Sequence, residues 1–444
     1  MLRAWRDDGP MSEKFDVIVV GAGPAGNAAA YTLARAGVSV LQIERGETPG
    51  TKNVQGAILY SHALEEIVPD FRKHAPLERH IIEQRMWLMD EGQACTGVSY
   101  RDDGFTQMPH NRYTIVRARF DRWFSDLVRE AGAMVINETT VTGLLRDAAG
   151  KVVGVQTERA GGEVLADAVI LADGVNSLVG QRAGLRDDIK AEHSALAVKE
   201  TLFLPKELIE QRFGVGDGQG VVIEIAGRIT HGMVGTGFLY TNRDSLAIGI
   251  GCMLGDLREQ SITPYQLLEG MKRHPAIKPL IEGAAMKEYA AHLIAEGGYK
   301  ALPKLFGDGW LMVGDSAGLI NGVHREGSNL AMTSGRLAAE TLIKLRKGGA
   351  ACTARNLSAY KAALDDSYVM KDLKKYAAVP EFMHENPHVL SAYPSLLNRA
   401  AREMLTVDGV DKRTKQGRIL ADVREKRSLL GLIGDAYRFW RAFR

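Results

Sequence analysis

The sequence predicts an α/β protein: a dinucleotide-binding unit assembled from separated chain segments, with an inserted antiparallel sheet domain and a helical C-terminal region. Three observations predict it. The apolar run FDVIVV, from Phe15, leads directly into GAGPAG, which places Gly21, Gly23 and Gly26 at G-x-G-x-x-G spacing. A later strand-like stretch, EVLADAVILADG, ends on Asp173 and Gly174. A third, WLMVGD, ends on Asp315 and passes through a glycine-containing loop to a long helix opening near Gly327–Ser328–Asn329.

The first segment has the order that a dinucleotide site requires: strand, glycine turn, helix, second strand. The first two glycines permit a tight turn and close approach of a pyrophosphate, and the third lets the helix lie against the sheet. Pro24 and Ala25 open an alanine-rich helix that runs to Gly37. Its free N–H groups and dipole favour an anion. The second strand, VSVLQIE, ends on Glu44, about 20 residues on, where a carboxylate accepts hydrogen bonds from ribose hydroxyls and disfavours a 2′-phosphate. This segment by itself leaves NAD and FAD both open.

The loop after Glu44, RGETPGTKNVQGAILY, contains Lys52 and Asn53, which suit either a phosphate or flavin edge or solvent. Residues 61–90 read as helical, then irregular. RYTIVRARFDRWFSDLVREAGA reads as a short strand and an amphipathic helix with Phe120, Trp123, Phe124 and Leu127 on one face, and Arg119 exposed at its start. MVINETTVTGLL and KVVGVQTE read as strands split by the turn DAAG. Residues 195–253 alternate like an antiparallel sheet, and TPYQLLEGMKRH reads as a helix beside it. Beyond Asn356 come helices and loops interrupted by prolines 380, 387 and 394. The expected organisation is a leader at 1–10, a discontinuous nucleotide domain at 11–190 and 290–350, the sheet domain at 191–289, a helical region at 351–423 and a final segment at 424–444. In that last segment Leu429, Leu432, Ile433, Ala436, Phe439, Trp440 and Phe443 recur at helical spacing among Lys426, Arg427, Arg438, Arg441 and Arg444. It is a basic amphipathic helix suited either to an anionic membrane surface or to docking on protein.

Composition narrows the classes. A net charge of +2 in 444 residues is too balanced for nucleic acid as a bulk partner. No apolar run approaches a membrane span. The three cysteines, Cys95, Cys252 and Cys352, are far apart; they point to a reducing compartment and cannot alone supply the four thiolates of an all-cysteine iron–sulfur cluster. The histidines lack ligand spacing, so no metal site is expected.

Three strand ends converging on one dinucleotide resemble the FAD-binding fold of the glutathione-reductase/hydroxybenzoate-hydroxylase type, in which the third-motif Asp reaches the ribityl chain. The resemblance is closer still in ETPGTKNVQGAILY, EYAAHLIAEGGYKALPKLFGDGWLMVGDSAGLINGVHREGSNLAMTSG and DDSYVMKDLKK. These stretches look like the FixC family, which is similar to electron-transfer-flavoprotein:quinone oxidoreductases; geranylgeranyl reductases share the fold. The resemblance implies an FAD-dependent oxidoreductase. Its pyrophosphate would lie on Gly21, Gly23, Pro24, Ala25 and Gly26, and its adenosine beside Glu44 and Arg45. Arg119 would reach a phosphate or ribose, and Val141 would offer backbone to adenine. Asp173 and Gly174 would form the middle motif, and Asp315 the ribityl or phosphate contact. The isoalloxazine would lie along Gly322, Ser328 and Asn329, with the helix dipole favouring an anionic reduced flavin and His324 and Arg325 adding charge; His324 is a weak candidate for polarising an oxygen, and no catalytic residue is assigned.

The resemblance also implies partners. Electrons would come from a FixA and FixB type flavoprotein heterodimer and go to a quinone, beside a ferredoxin-like FixX type subunit, in an electron-bifurcating complex linked to nitrogen fixation. The location would be cytoplasmic, peripheral on the inner membrane. Two other readings are an NAD(P)H-dependent reductase or hydroxylase, and an FAD-containing docking subunit.

Overall fold

The computed structural model describes residues 14–51, 56–90 and 92–444. The leader at 1–10 and the residues Lys52 and Asn53 lie outside the described residues.

Two sheets organise the molecule. The first runs Phe306–Gly307, Trp310–Met312, Glu163–Leu171, Lys14–Val20, Val40–Ile43, Met134–Ile136, with the hairpin Val141–Arg146 and Val152–Thr157 attached to Glu163–Leu171. Lys14–Val20 is parallel to both neighbours, and Trp310–Met312 is parallel to Glu163–Leu171. Val17, Ile18, Val19 and Val20 are each at most 5% exposed, the continuous apolar run of a strand covered on both faces. The register aligns their carboxyl ends: Ile43 pairs Val20, Val20 pairs Leu171, and Leu171 pairs Met312. Glu44, Gly21, Ala172 and Val313 therefore emerge side by side on one edge, where open α/β sheets bind ligands.

Two helices cover this edge. Pro24–Arg35 begins immediately after the glycine turn, with proline in its first turn. Ser328–Lys347 packs across it. Their approach depends on small residues: a Cβ on Gly335 would stand 2.1 Å from the Ala25 carbonyl oxygen, and one on Gly314 would stand 2.8 Å from the Ala25 Cβ.

The second sheet has nine strands, in the order Ala285–Ala295, Ser194–Phe203, Ser245–Met253, Gly235–Thr241, Gln219–Gly227, Leu77–Met89, Arg112–Val116, Gly56–Tyr60, with Cys95–Arg101 on Leu77–Met89. It differs from the sequence expectation in extent. Residues 56–116, assigned above to the nucleotide domain, supply four of its strands, and Leu77–Met89 is a 13-residue strand where an irregular segment was expected. Charged residues at inward positions mask its period. Arg79, 1% exposed, donates to the carbonyls of Asn242 (2.6 Å), Gln219 (3.0 Å) and Arg243 (3.0 Å).

The C-terminal region is helical, with two departures. Pro394 lies inside the helix His388–Leu405 and does not end it. That helix is held by packing: Asn398 donates to the Leu88 carbonyl at 2.9 Å, and Thr96 donates to Asn398 at 2.6 Å. The final basic segment is two helices, Lys412–Lys426 and Leu429–Phe443, because Ser428 caps the second through the Gly431 N–H (3.1 Å). No helix among the described residues is long and apolar enough to cross a membrane.

Candidate functional site

The turn Gly21–Gly26 is fixed by crowding. Gly21 has φ +103°, and a Cβ there would fall 2.3 Å from the Ala172 carbonyl oxygen. A Cβ on Gly26 would fall 2.0 Å from the Gly21 oxygen. Gly23 is different: its nearest neighbour is an Arg117 guanidinium nitrogen at 4.0 Å, which leaves room for a ligand against the backbone. Glu44 shapes the same loop, since Oε2 accepts from the Ala22 N–H at 2.9 Å and Oε1 from the Gly46 N–H at 2.7 Å. Arg45 is exposed beyond it. Val141, buried, starts the adjoining hairpin; next to it, Thr139 N–H donates to the Glu44 carbonyl at 3.1 Å. Both positions lie at the carboxyl-end edge of the first sheet, beside Glu44.

The middle and third motifs come to the same place. Asp173 accepts from the Val179 N–H at 3.0 Å, while its other carboxyl oxygen is buried without a partner. Gly174 has φ +78°, which favours glycine at the turn. Burial raises the Asp173 and Asp315 carboxyls above the usual range, Asp315 against the opposing pull of Arg117 and Arg186. Arg186 ties the two motifs together by donating to the carbonyls of Val175 (3.0 Å) and Ser316 (2.7 Å). The cleft thus joins Gly21, Asp173 and Asp315 from segments far apart in the chain.

One expected residue stands elsewhere. Arg119 is 63% exposed in its side chain and pairs with Glu78 at 3.3 Å, turned from the cleft. The arginine beside Gly23 is Arg117, two residues earlier and on another face of the helix Arg117–Glu130. Its guanidinium is buried and held by Asp121 at 2.7 and 2.9 Å, and it also feels the Asp315 charge. An RAR pattern at a helix start indicates that one arginine turns inward, but not which.

At the far end, Asn321 caps its own loop, accepting from Val323 and His324 N–H groups at 3.2 and 3.4 Å. Its amide nitrogen and the Asn329 amide oxygen are both buried and unpartnered. Ser328 donates to the Ile58 carbonyl at 3.4 Å. Arg325, at φ +54°, pairs with Glu224 at 3.6 Å. His324 is bonded to the Tyr376 hydroxyl at 2.8 Å. Sequence reasoning missed Glu296, whose Oε2 would be 2.3 Å from a Cβ on Gly322, and whose carboxyl is pushed up to about 7 by burial despite Arg325.

Orphaned buried amides at one end, an open glycine backbone with a buried arginine at the other, and carboxyls between them fit a long polar cofactor with an anionic group at the arginine and hydroxyls at the carboxyls. This is the class of FAD-binding oxidoreductases. An FAD binding domain profile matches residues 14–211, and the ETF-QO/FixC family C-terminal domain matches residues 379–444. The chain is 59% identical over 432 residues to Protein FixC of Azotobacter vinelandii, covering 97% of this chain and 100% of that one. It is 40% identical to the probable electron transfer flavoprotein-quinone oxidoreductase YdiS of Escherichia coli, over 95% of this chain and 97% of that one. A geranylgeranyl bacteriochlorophyll reductase-like protein from Thermoplasma acidophilum shares the fold, with TM-score 0.71 at 20% identity, covering 93% of this chain and 96% of that one. The chain belongs to the FixC family and is an FAD-dependent oxidoreductase of electron transfer.

Proposed function

We propose that this chain takes electrons from an electron-transfer flavoprotein heterodimer of the FixA and FixB type and reduces a membrane quinone, beside a FixX type iron–sulfur subunit, in an electron-bifurcating complex linked to nitrogen fixation. The observation that carries this reading is end-to-end likeness to relatives named FixC, together with 40% identity to a relative named an electron transfer flavoprotein-quinone oxidoreductase.

FAD, when bound, supplies the two-electron chemistry. Gly21, Gly23, Pro24, Ala25 and Gly26 present backbone to its pyrophosphate, with the Arg117 guanidinium alongside. Glu44, Arg45 and Val141 border the adenosine. Asp173, Gly174 and Asp315 line the middle of the cleft. Gly322, Ser328 and Asn329 would border the ring system, Ser328 and Asn329 at the N-terminus of a 20-residue helix whose dipole favours negative charge. The exposed apolar residues of Leu429–Phe443 support a peripheral membrane position.

The test is anaerobic reduction of the purified flavoprotein. NADH alone leaves the flavin oxidised, whereas a reduced electron-transfer flavoprotein bleaches it, and a soluble quinone restores the colour. Rapid bleaching by NAD(P)H alone overturns the reading in favour of a self-contained reductase. Affinity isolation of the tagged chain from its host should bring two flavoprotein chains and a small iron–sulfur protein with it.

A further inference from the structure

The second sheet turns a cationic face toward the nucleotide cleft. In the strand Ser194–Phe203, successive side chains alternate between faces. Glu200 faces away from the cleft, where it pairs with Lys272 of the helix Pro264–Arg273 at 2.8 Å. Lys199 therefore faces the other way. It is 4% exposed, and among the described residues its ammonium has no hydrogen bond or ion pair. The carboxylate that acts on it, Glu288, is engaged instead by the Thr201 hydroxyl at 3.1 Å. The other charge acting on Lys199 is that of Arg117, which Asp121 and Asp315 hold cationic against the opposing effect of burial. His292 lies beside them: it pairs with Ala197 in register, on the same face as Lys199, and burial together with the Arg117 and Arg45 charges pushes its pKa down, so an anion between these groups is what would favour its charged form.

An unpaired ammonium this deep, facing a guanidinium of like sign, is costly unless an anion stands between them. Arg117 is also the group nearest the open backbone of Gly23. We propose that Lys199, assisted by His292, forms the roof of the diphosphate site: the glycine turn and Arg117 hold the FAD pyrophosphate from the nucleotide domain, and Lys199 closes on it from the substrate-side sheet. FAD then bridges the two sheets through charge, and its diphosphate is neutralised from both sides. This rests on the FAD reading of the cleft and goes beyond it in assigning a binding residue from the other domain.

The experiment compares deflavinated wild-type protein with Lys199→Met and Lys199→Arg. Titrations with FAD and with riboflavin, which lacks the diphosphate, are followed by flavin fluorescence, and thermal unfolding is recorded with and without FAD. The expected result is a loss of FAD affinity of at least tenfold in Lys199→Met, unchanged riboflavin affinity, and partial recovery in Lys199→Arg. The apoprotein of Lys199→Met should unfold at the same or a higher temperature, because a buried unpaired charge has gone, while the stabilisation by FAD shrinks. A packing role would instead lower apoprotein stability and leave FAD affinity intact, which overturns the proposal. Equal loss of FAD and riboflavin affinity also overturns it, by placing Lys199 at the ring. Failure of the wild-type protein to bind FAD at all would sink the FAD reading itself, a distinct outcome.

Discussion

The Glu296 carboxylate is pressed against the backbone of Gly322, so closely that a Cβ there would lie 2.3 Å from Oε2. Arg325 supplies the opposing charge, itself shared with Glu224 at 3.6 Å. The Glu296 N–H donates to the His193 carbonyl at 2.8 Å, which fixes the backbone on the cleft side. Burial pushes the carboxyl up from 4.5 to about 7. The folded protein therefore holds a proton that the unfolded chain has released between those two values. Stability contributed by this group is complete below the unfolded pKa and is lost as pH rises through the folded one. Glu296→Gln, which stays neutral, should gain on the wild type between about pH 4.5 and 7, by on the order of 3 kcal/mol, and then level off. Denaturant midpoints at pH 5 and pH 8 measure this; a constant difference between the two proteins would contradict it.

Arg117 and Arg119 offer a sharp comparison because they are adjacent in type and opposite in environment. Arg117→Lys keeps a cation but loses the planar fork on Asp121 and the reach to Gly23, so FAD affinity should fall about tenfold or more. Arg119→Gln removes the exposed partner of a buried carboxylate, Glu78, which keeps the Arg243 N–H at 2.9 Å, and should leave FAD affinity unchanged. The readout is the flavin-to-protein absorbance ratio after dialysis.

These contrasts show where sequence suffices. Gly21, Gly26 and Glu44 were legible because turn chemistry is local: their constraints come from backbone within a few residues or from the next strand. Asp173 and Asp315 were legible because each ends an apolar run, and parallel pairing then brings the ends together. Arg117, Lys199, His292 and Glu296 were not. Each matters through a group more than 25 residues away or through the ligand, and no short spacing encodes that. The strand Leu77–Met89 was hidden for a related reason, since Arg79 at an inward position is satisfied by carbonyls near 219 and 242. The resemblance points to Arg119, whereas the arginine beside Gly23 is Arg117, because helix phase cannot be read to within two residues at a helix start.

The two helices that frame the cleft touch at Gly335. A Cβ at this position would stand 2.1 Å from the Ala25 carbonyl oxygen and 3.2 Å from the Ala29 nitrogen, so the added methyl meets backbone rather than a movable side chain. In an isolated helix, Gly→Ala gains up to about 1 kcal/mol. Here overpacking wins, and Gly335→Ala should destabilise the protein by roughly 1–3 kcal/mol. Thermal unfolding decides the sign. The same shift tilts the helix N-terminus at Ser328, so FAD affinity should fall with it.

Asp435 anchors the last helix. It accepts from Arg427 at 2.7 and 2.9 Å, Arg438 at 2.5 Å, His388 at 3.0 Å and Tyr393 at 2.5 Å. Hydrogen bonds from Arg427, Tyr393, Arg438 and His388 hold its carboxyl far below the usual range, overcoming the opposing effect of burial. Its stabilising effect is present above the unfolded pKa of about 3.8 and is lost as pH falls through the folded value. Asp435→Ala leaves these partly exposed donors facing one another, at a cost of about 1–3 kcal/mol local to this helix. Hydrogen exchange should accelerate in 429–443 and not in the nucleotide domain.

With that anchor inward, the opposite side of Leu429–Phe443 is left uncovered. Phe439 and Phe443 pack on Phe382 at ring distances of 6.0 and 6.4 Å, whereas Leu430, Ile433, Tyr437 and Trp440 are 83%, 66%, 59% and 54% exposed. These four recur at three- and four-residue steps and form one stripe, beside Arg441 and Arg444. Removing such a stripe from water into lipid returns about 25 cal/mol per Å², and the arginines add attraction to anionic headgroups. The double variant Ile433→Ser, Trp440→Ser removes apolar area without touching Asp435 or the Phe382 contact, so the fold and FAD content should be unchanged. Its partitioning onto vesicles of anionic phospholipid, measured by flotation, should fall at least tenfold. Added salt should weaken the wild type only partly, because the apolar contribution is insensitive to screening. If the variant floats as the wild type does, this face does not bind lipid, and the peripheral membrane position loses its structural basis.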